Sequence, residues 1–266
     1  MMIDNTMEFM QLMGANPAAF IYALARTGGV VFSAPVFGDA HVPARIKAAL
    51  AVVLALLTAP LMQGAAEPGA VSVLVSGVIT EAVTGLIIGL GVRMIFVGVA
   101  YAGQVAAAGV SYGIGAMYDP AGRAPTAGVP EFFTVFAVLV FLSVNGHLMV
   151  IEALSRSFQF LPAGRASLTP GFMEHAVVIS AQLFAVALKL AGPVLATGIF
   201  VNAACGLVAR SAPGMDGLTI SFAAAALAGL FVILLSLPSM EVAMRSVFDA
   251  GFDNVNMLIM DMRHAV

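Results

Sequence analysis

The chain alternates long uncharged apolar runs with short polar connections. Residues 48–66, 94–118, 132–151, 190–209 and 217–240 contain no Asp, Glu, Lys or Arg, and each run is about 19 to 25 residues long. An α-helix rises about 1.5 Å per residue, so roughly 20 apolar residues cross the hydrocarbon of a bilayer. The runs therefore predict membrane helices. None of them shows the apolar–polar alternation over about ten residues that marks a membrane β-barrel strand.

Read in order, the pattern predicts about six spans. The first apolar region, residues 9–37, exceeds one perpendicular span and contains Arg26 and Gly28-Gly29. It is expected to tilt, to break at the glycines, or to be partly surrounded by protein. A polar turn over residues 38–47 leads to a second helix over 48–61, ended by Pro60 and the stretch 63–69. A third region starts near Val71, is interrupted by Glu81 and Arg93, and is expected to be helical to about Ala108. A glycine-rich flexible segment and a loop to residue 130 follow. A fourth span covers 132–151. The most polar stretch, 152–175, precedes an apolar segment over 176–209 that carries Lys189 and Pro193. A turn at 210–217 leads to a last span over 218–237 and an amphipathic tail over 241–266. The expected fold is all-α, a multi-helix membrane protein of hydrophobic helical hairpins with broken helices. It forms one helical domain over 1–266, with no separate soluble domain.

Composition sharpens this picture. Apolar residues make up 61% of the chain and charged residues 9%, against about 25% charged in a soluble domain. Mean hydropathy is +1.03. The net charge is −3 and no basic run occurs, which excludes nucleic-acid binding, since that needs clustered Lys and Arg. The single cysteine, Cys205, allows no intrachain disulfide and is read as a packing residue. No Cys/His set has metal-ligand spacing. The only charges before the first apolar run are Asp4 and Glu8. A secretory signal has a positive start, so the first segment is expected to be retained. Trp is absent, which leaves Tyr and Phe for any interfacial belt. Basic loop residues fall on both sides of an up-down topology, so the positive-inside rule assigns no orientation.

Several residues could carry chemistry. Gly109-Val110-Ser111-Tyr112-Gly113 fits the G-x-S-x-G nucleophile elbow, with Asp119 and His147 following in the order Ser, Asp, His. The elbow needs a strand before the serine, and a Gly/Ala-rich apolar run stands there instead. Asp119 also lies too close along the chain. A hydrolase is therefore disfavoured. Arg26, Glu81, Arg93 and Lys189 are charges within apolar sequence. They face either a solute or proton pathway, or a helix end or an internal partner, and the structural role is favoured. Glu81 and Arg93 do not share a helix face. Gly85 and Gly89, and Gly109 and Gly113, have the G-x-x-x-G spacing that permits close helix approach. Asn145-Gly146-His147 places polar groups inside an apolar span, where they need hydrogen-bond partners. No phosphate-binding loop G-x-x-x-x-G-K-[ST] occurs.

The residues taken in order carry a resemblance. Ala25-Arg26-Thr27-Gly28-Gly29 is followed by Ala34-Pro35-Val36-Phe37-Gly38 and by Val42-Pro43-Ala44-Arg45-Ile46-Lys47-Ala48. Tyr118-Asp119-Pro120, Phe141-Leu142-Ser143-Val144-Asn145-Gly146-His147 and Ala209-Arg210-Ser211-Ala212-Pro213 come later. Together they resemble the FliR family of flagellar type III export-gate proteins and its injectisome counterparts, over nearly the whole chain. The resemblance implies a non-enzymatic, cofactor-free pore subunit in the bacterial inner membrane and flagellar basal body. Its implied partners are FliP-like and FliQ-like subunits, an FlhB-like subunit and unfolded export substrates. It implies a pore plug within residues 109–128, with Gly109, Ser111, Tyr112, Gly113, Gly115, Met117, Asp119 and Pro120 as candidates. Arg26, Pro35, Phe37, Gly38, Pro43, Arg45, Asn145, Gly146 and His147 are implied structural or interface positions. A small-solute secondary transporter is the alternative. That class usually builds a midplane site from broken helices in inverted repeats, and the two halves of this chain show no repeat.

Overall fold

A computed structural model describes residues 17–62, 70–110, 128–163, 170–211 and 217–262. Among these, all regular structure is helical. The elements are α1 (Pro17–Ser33), α2 (Ala44–Thr58) with a 3-10 turn (Ala59–Met62), α3 (Val71–Gly109), α4 (Gly128–Ser143), α5 (Gly146–Phe160), α6 (Pro170–Ser211) and α7 (Gly217–Asp261). Four are long and apolar enough to cross a membrane: Ala44–Met62, Val71–Gly109, Gly171–Val208 and Ala223–Asp261. The bent pair α4–α5 makes a fifth if counted as one span. The sixth expected span corresponds to α1, whose 17 described residues rise about 25 Å.

Four sequence expectations change. Arg26 and the Gly28-Gly29 pair do not break α1, which runs unbroken to Ser33. Nor do Glu81 and Arg93 interrupt α3, a single helix of 39 residues. By contrast, the run 132–151 is not one continuous helix. The helix stops after Ser143 and restarts at Gly146, with a bend of 66°. Asn145 there has φ 58°, a left-handed conformation that Asn tolerates better than most residues. The final span and the tail are also one element. α7 runs 45 residues, straight through Pro238.

The chain divides into two compact units. One comprises Met1–Met94, Asn145–Ile179 and Asp249–Val266; the other comprises Ile95–Val144 and Ser180–Phe248. In the first, α1 buries a stripe of Ala18, Tyr22, Ala23, Arg26, Thr27, Val30 and Val31 at helical spacing. Thr27 Oγ1 donates to Ala51 O on α2 at 3.2 Å. α1 and α3 touch backbone to backbone. A Cβ added to Gly29 would lie 2.6 Å from Ala82 O, and one added to Gly85 would collide with Arg26 O. One added to Gly89 would collide with Ser33 Oγ. The Gly85/Gly89 spacing thus does what such spacing permits in lipid. The end of α7 contributes Phe252, Val255, Leu258 and Ile259 to the core, followed by Met262 just beyond it, the buried stripe of an amphipathic helix.

The second unit is built round an aromatic cluster. Phe96, Phe141 and Phe248 pack with ring centroids 5.2 to 5.5 Å apart, within the range favoured for tilted and edge contacts. Gly198 of α6 sits directly against Gly109 O of α3, leaving no room for a side chain.

The α1–α3 contact can be checked by substitution. Gly85→Leu is expected to destabilise the protein by about 1–3 kcal/mol through overpacking. A Cβ on Gly28 would meet nothing within 4 Å, so Gly28→Ala should be neutral or stabilising by up to about 1 kcal/mol. Thermal unfolding of both variants in detergent measures the contrast.

Candidate functional site

Most buried hydroxyls in the first unit are satisfied within their own helix. Thr27 Oγ1 donates to Ala23 O at 2.8 Å, Ser33 Oγ to Gly29 O at 2.6 Å, and Thr84 Oγ1 to Thr80 O at 2.8 Å. Two fully buried charges cannot be satisfied that way. Arg26 on α1 and Glu81 on α3 are both 0% exposed, and Arg26 Nε donates to Glu81 Oε2 at 2.5 Å. Removing such charges from water is costly unless each is paired and hydrogen-bonded.

The guanidinium has further partners. Nη1 donates to Ser157 O at 2.8 Å and to Ser157 Oγ at 3.3 Å, and Nη2 donates to Leu161 O at 3.1 Å. Its carbon lies 4.5 Å from the Phe158 ring centroid, a cation–π distance. Ser157 and Leu161 lie at the C-terminal end of α5, where the helix dipole is negative, and Ser157 O accepts from Leu161 N–H at 2.9 Å as well as from Arg26. Arg26 therefore caps α5 and pairs with α3 at once. Gly85, one turn after Glu81, brings the helices close enough for the pair to form. The sequence marked Arg26 and Glu81 as charges within apolar runs. It gave no sign that they meet across 55 positions, and it missed Ser157, Phe158 and Leu161 altogether.

A second feature lies where α1 turns into α2. Phe37 N–H donates to Pro35 O and Gly38 N–H to Ala34 O, each at 2.8 Å. Val36, at the centre of the first turn, has φ 67°. A β-branched residue in that region is strained, at a cost of order 1–3 kcal/mol. Lys47 Nζ donates to Gly38 O at 3.1 Å, and a Cβ on Gly38 would lie 2.5 Å from Phe32 O. Pro35 and Phe37 are half-buried here, while Pro43 and Arg45 at the start of α2 are exposed. His41 N–H donates to Asp39 Oδ1 at 2.8 Å and the His41 ring lies 2.6 Å from the same atom. These contacts hold the Asp39 carboxyl below its ordinary pKa.

At the α4–α5 break, Asn145 is exposed and Gly146 buried. Asn145 O accepts from Leu148 N–H at 2.8 Å. Asn145 is thus a turn residue, not the buried amide expected within a continuous span. His147 Nδ1 is buried and meets no hydrogen-bond partner among the described residues. Of the proposed plug residues, Gly109 ends α3. Ser111, Tyr112, Gly113, Gly115, Met117, Asp119 and Pro120 lie outside the described residues. The segment leading to Ser111 is the helix α3, not the strand that a nucleophile elbow requires. Among the described residues, no group of three or more His, Cys, Asp or Glu side chains could hold a metal ion.

The long apolar helices and the Arg26–Glu81 pair, a clasp between α1 and α3, fit a membrane-embedded, all-helical protein. Comparison with known proteins then places the chain. Residues 18–251 match the family described as bacterial export proteins, family 1, and the chain belongs to that family. It is 28% identical over 222 residues to the flagellar biosynthetic protein FliR of Caulobacter vibrioides, covering 83% of this chain and 88% of that protein. It is 28% identical over 241 residues to FliR of Pectobacterium carotovorum, covering 88% and 90%. The surface presentation of antigens protein SpaR of Shigella flexneri is 26% identical over 117 residues, 44% of this chain and 45% of that one. These relatives identify a FliR-type component of the flagellar and type III export apparatus.

Removing either clasp residue alone strands a buried charge. Arg26→Met and Glu81→Met are each expected to cost about 3–5 kcal/mol. The double variant should cost less than either single one. A thermal-unfolding double-mutant cycle in detergent measures the coupling, and additive losses would contradict the assignment.

Proposed function

We propose that the chain is a structural subunit of the flagellar protein export gate in the bacterial inner membrane, at the basal body. It assembles with FliP-like and FliQ-like subunits, associates with an FlhB-like subunit, and helps form the pore for unfolded axial proteins. The relatives' names favour the flagellar system, and the family membership supports export.

One observation carries the subunit role. α3, α6 and α7 contain 39, 42 and 45 residues, or about 58, 63 and 68 Å at 1.5 Å per residue. The hydrocarbon core is about 30 Å thick, and a tilt of 40° lengthens the path only to about 39 Å. Exposed apolar side chains run beyond that limit. Val177 and Val208 on α6 are 67% and 56% exposed and stand about 46 Å apart along the helix. Lipid cannot cover both, and water is a poor solvent for either. Neighbouring subunits supply the remaining cover in this reading.

The test is purification of the tagged chain from native membranes in mild detergent, followed by native mass spectrometry. The expected result is a stable complex with FliP-like and FliQ-like subunits, together with loss of flagellar export when the chain is deleted. Recovery of the chain alone, with those subunits expressed, would refute the reading.

A further inference from the structure

Lys189 and Arg93 are exposed cations well inside long apolar helices, and neither makes an ion pair among the described residues. Lys189 is the one flanked by small residues on its own face. It lies in the apolar stretch Gly171–Val208 of α6, 18 residues from one end and 19 from the other, or about 27 Å from either. Its side chain is exposed, and it makes no ion pair among the described residues. Ala185 and Ala196, four positions before it and seven after, share its helix face, and both are exposed. Gly192 belongs to the same face, and a Cβ there would meet nothing within 4 Å. The surface beside the ammonium group is therefore low and open to a second backbone.

We propose that this face of α6 docks an apolar helix of another gate subunit, and that a carboxylate on that helix pairs with Lys189. The inference rests on the gate-subunit reading and deepens it by naming the partner's chemistry. Charge supplies the argument. An intramembrane Lys needs a partner or a wet cavity, and Glu81, the carboxylate within the apolar stretch of α3, is committed to Arg26. A lipid phosphate is the competing anion. Raising Lys189 to the headgroups, however, puts half of α6 outside the hydrocarbon. That half carries large exposed apolar residues in either direction: Val177 and Phe184 on one side, Phe200 and Leu207 on the other. Protein must then cover α6 in any case, and a protein helix can bring the anion with it.

The experiment uses the full chain in native membranes. A photo-reactive amino acid replaces Ala185 or Ala196, and crosslinked peptides are identified by mass spectrometry. Both positions are expected to capture one apolar helix of a different gate subunit that contains Asp or Glu. Lys189→Glu should lower recovery of the complex by about tenfold or more, since like charges in a desolvated contact repel strongly. Lys189→Arg should keep it within about twofold, because the charge is retained. Changing the captured carboxylate to Lys should restore assembly with Lys189→Glu. Capture of phospholipid alone, or of a second copy of this chain, overturns the proposal, as does a Lys189→Glu complex at full yield. If Lys189→Glu does not accumulate, the crosslinks made with Lys189 intact still decide. A wild-type chain that recovers no gate subunit removes the gate reading together with this inference. A wild-type complex with negative Lys189 results removes this inference alone.

Discussion

The buried guanidinium of Arg26 sets the terms for the first unit. A charge held away from water has to have its donors satisfied by groups already in place. Here the acceptors come from α3 and from the C-terminal end of α5, so one side chain ties together three elements distant in sequence. The arrangement also places a cation at the negative end of the α5 dipole, with Leu161 O and Ser157 O both accepting from the guanidinium. The guanidinium suits the task because its planar fork reaches acceptors in several directions at once.

A wholly apolar contact of the same volume would often be at least as stable as a buried ion pair. The value of the charge lies in register. α1 and α3 meet through glycines, and Gly85 and Gly89 are one helical turn apart. Sliding α3 by one turn, about 5.4 Å, would set one glycine where the other had been and leave much of the backbone contact intact. The same slide would carry Glu81 away from Arg26 and leave two unpaired buried charges. Smooth glycine packing brings the helices close, and the charge pair makes one of the close arrangements much better than its neighbours.

The sequence revealed this fold unevenly. Charge-free runs located the long helices because lipid and protein interiors both exclude charge, and the end of α3 near residue 108 followed from its glycines. The same reasoning overvalued Glu81 and Arg93 as interruptions. Hydropathy registers a charge as a break, whereas the backbone of α3 is indifferent to it. It undervalued Asn145-Gly146, a dipeptide with strong turn character, because the apolar run round it read as one span. Arg26 and Glu81 were visible as isolated charges. Their pairing was not, because tertiary proximity leaves no trace in local periodicity. The amphipathic tail was legible from its pattern, yet its continuity with the last span was not, because Pro238 reads as a stop in water-soluble helices and is tolerated in membrane ones.

Arg26 and Lys189 make a final point about completeness. Arg26 is neutralised inside the chain, at a site where folding alone can bring the partners together. Lys189 sits on an exposed face in the middle of an apolar helix, where folding of this chain brings no partner among the described residues. A protein that worked alone would be expected to treat both charges in the same way. The difference fits a chain whose fold is finished only in part by its own contacts. For such a subunit, assembly contributes to the stability of the folded state, because anything that binds the folded form and not the unfolded one shifts the equilibrium toward it. Long helices with uncovered apolar faces then cease to be a liability and become the surfaces on which the assembly is built.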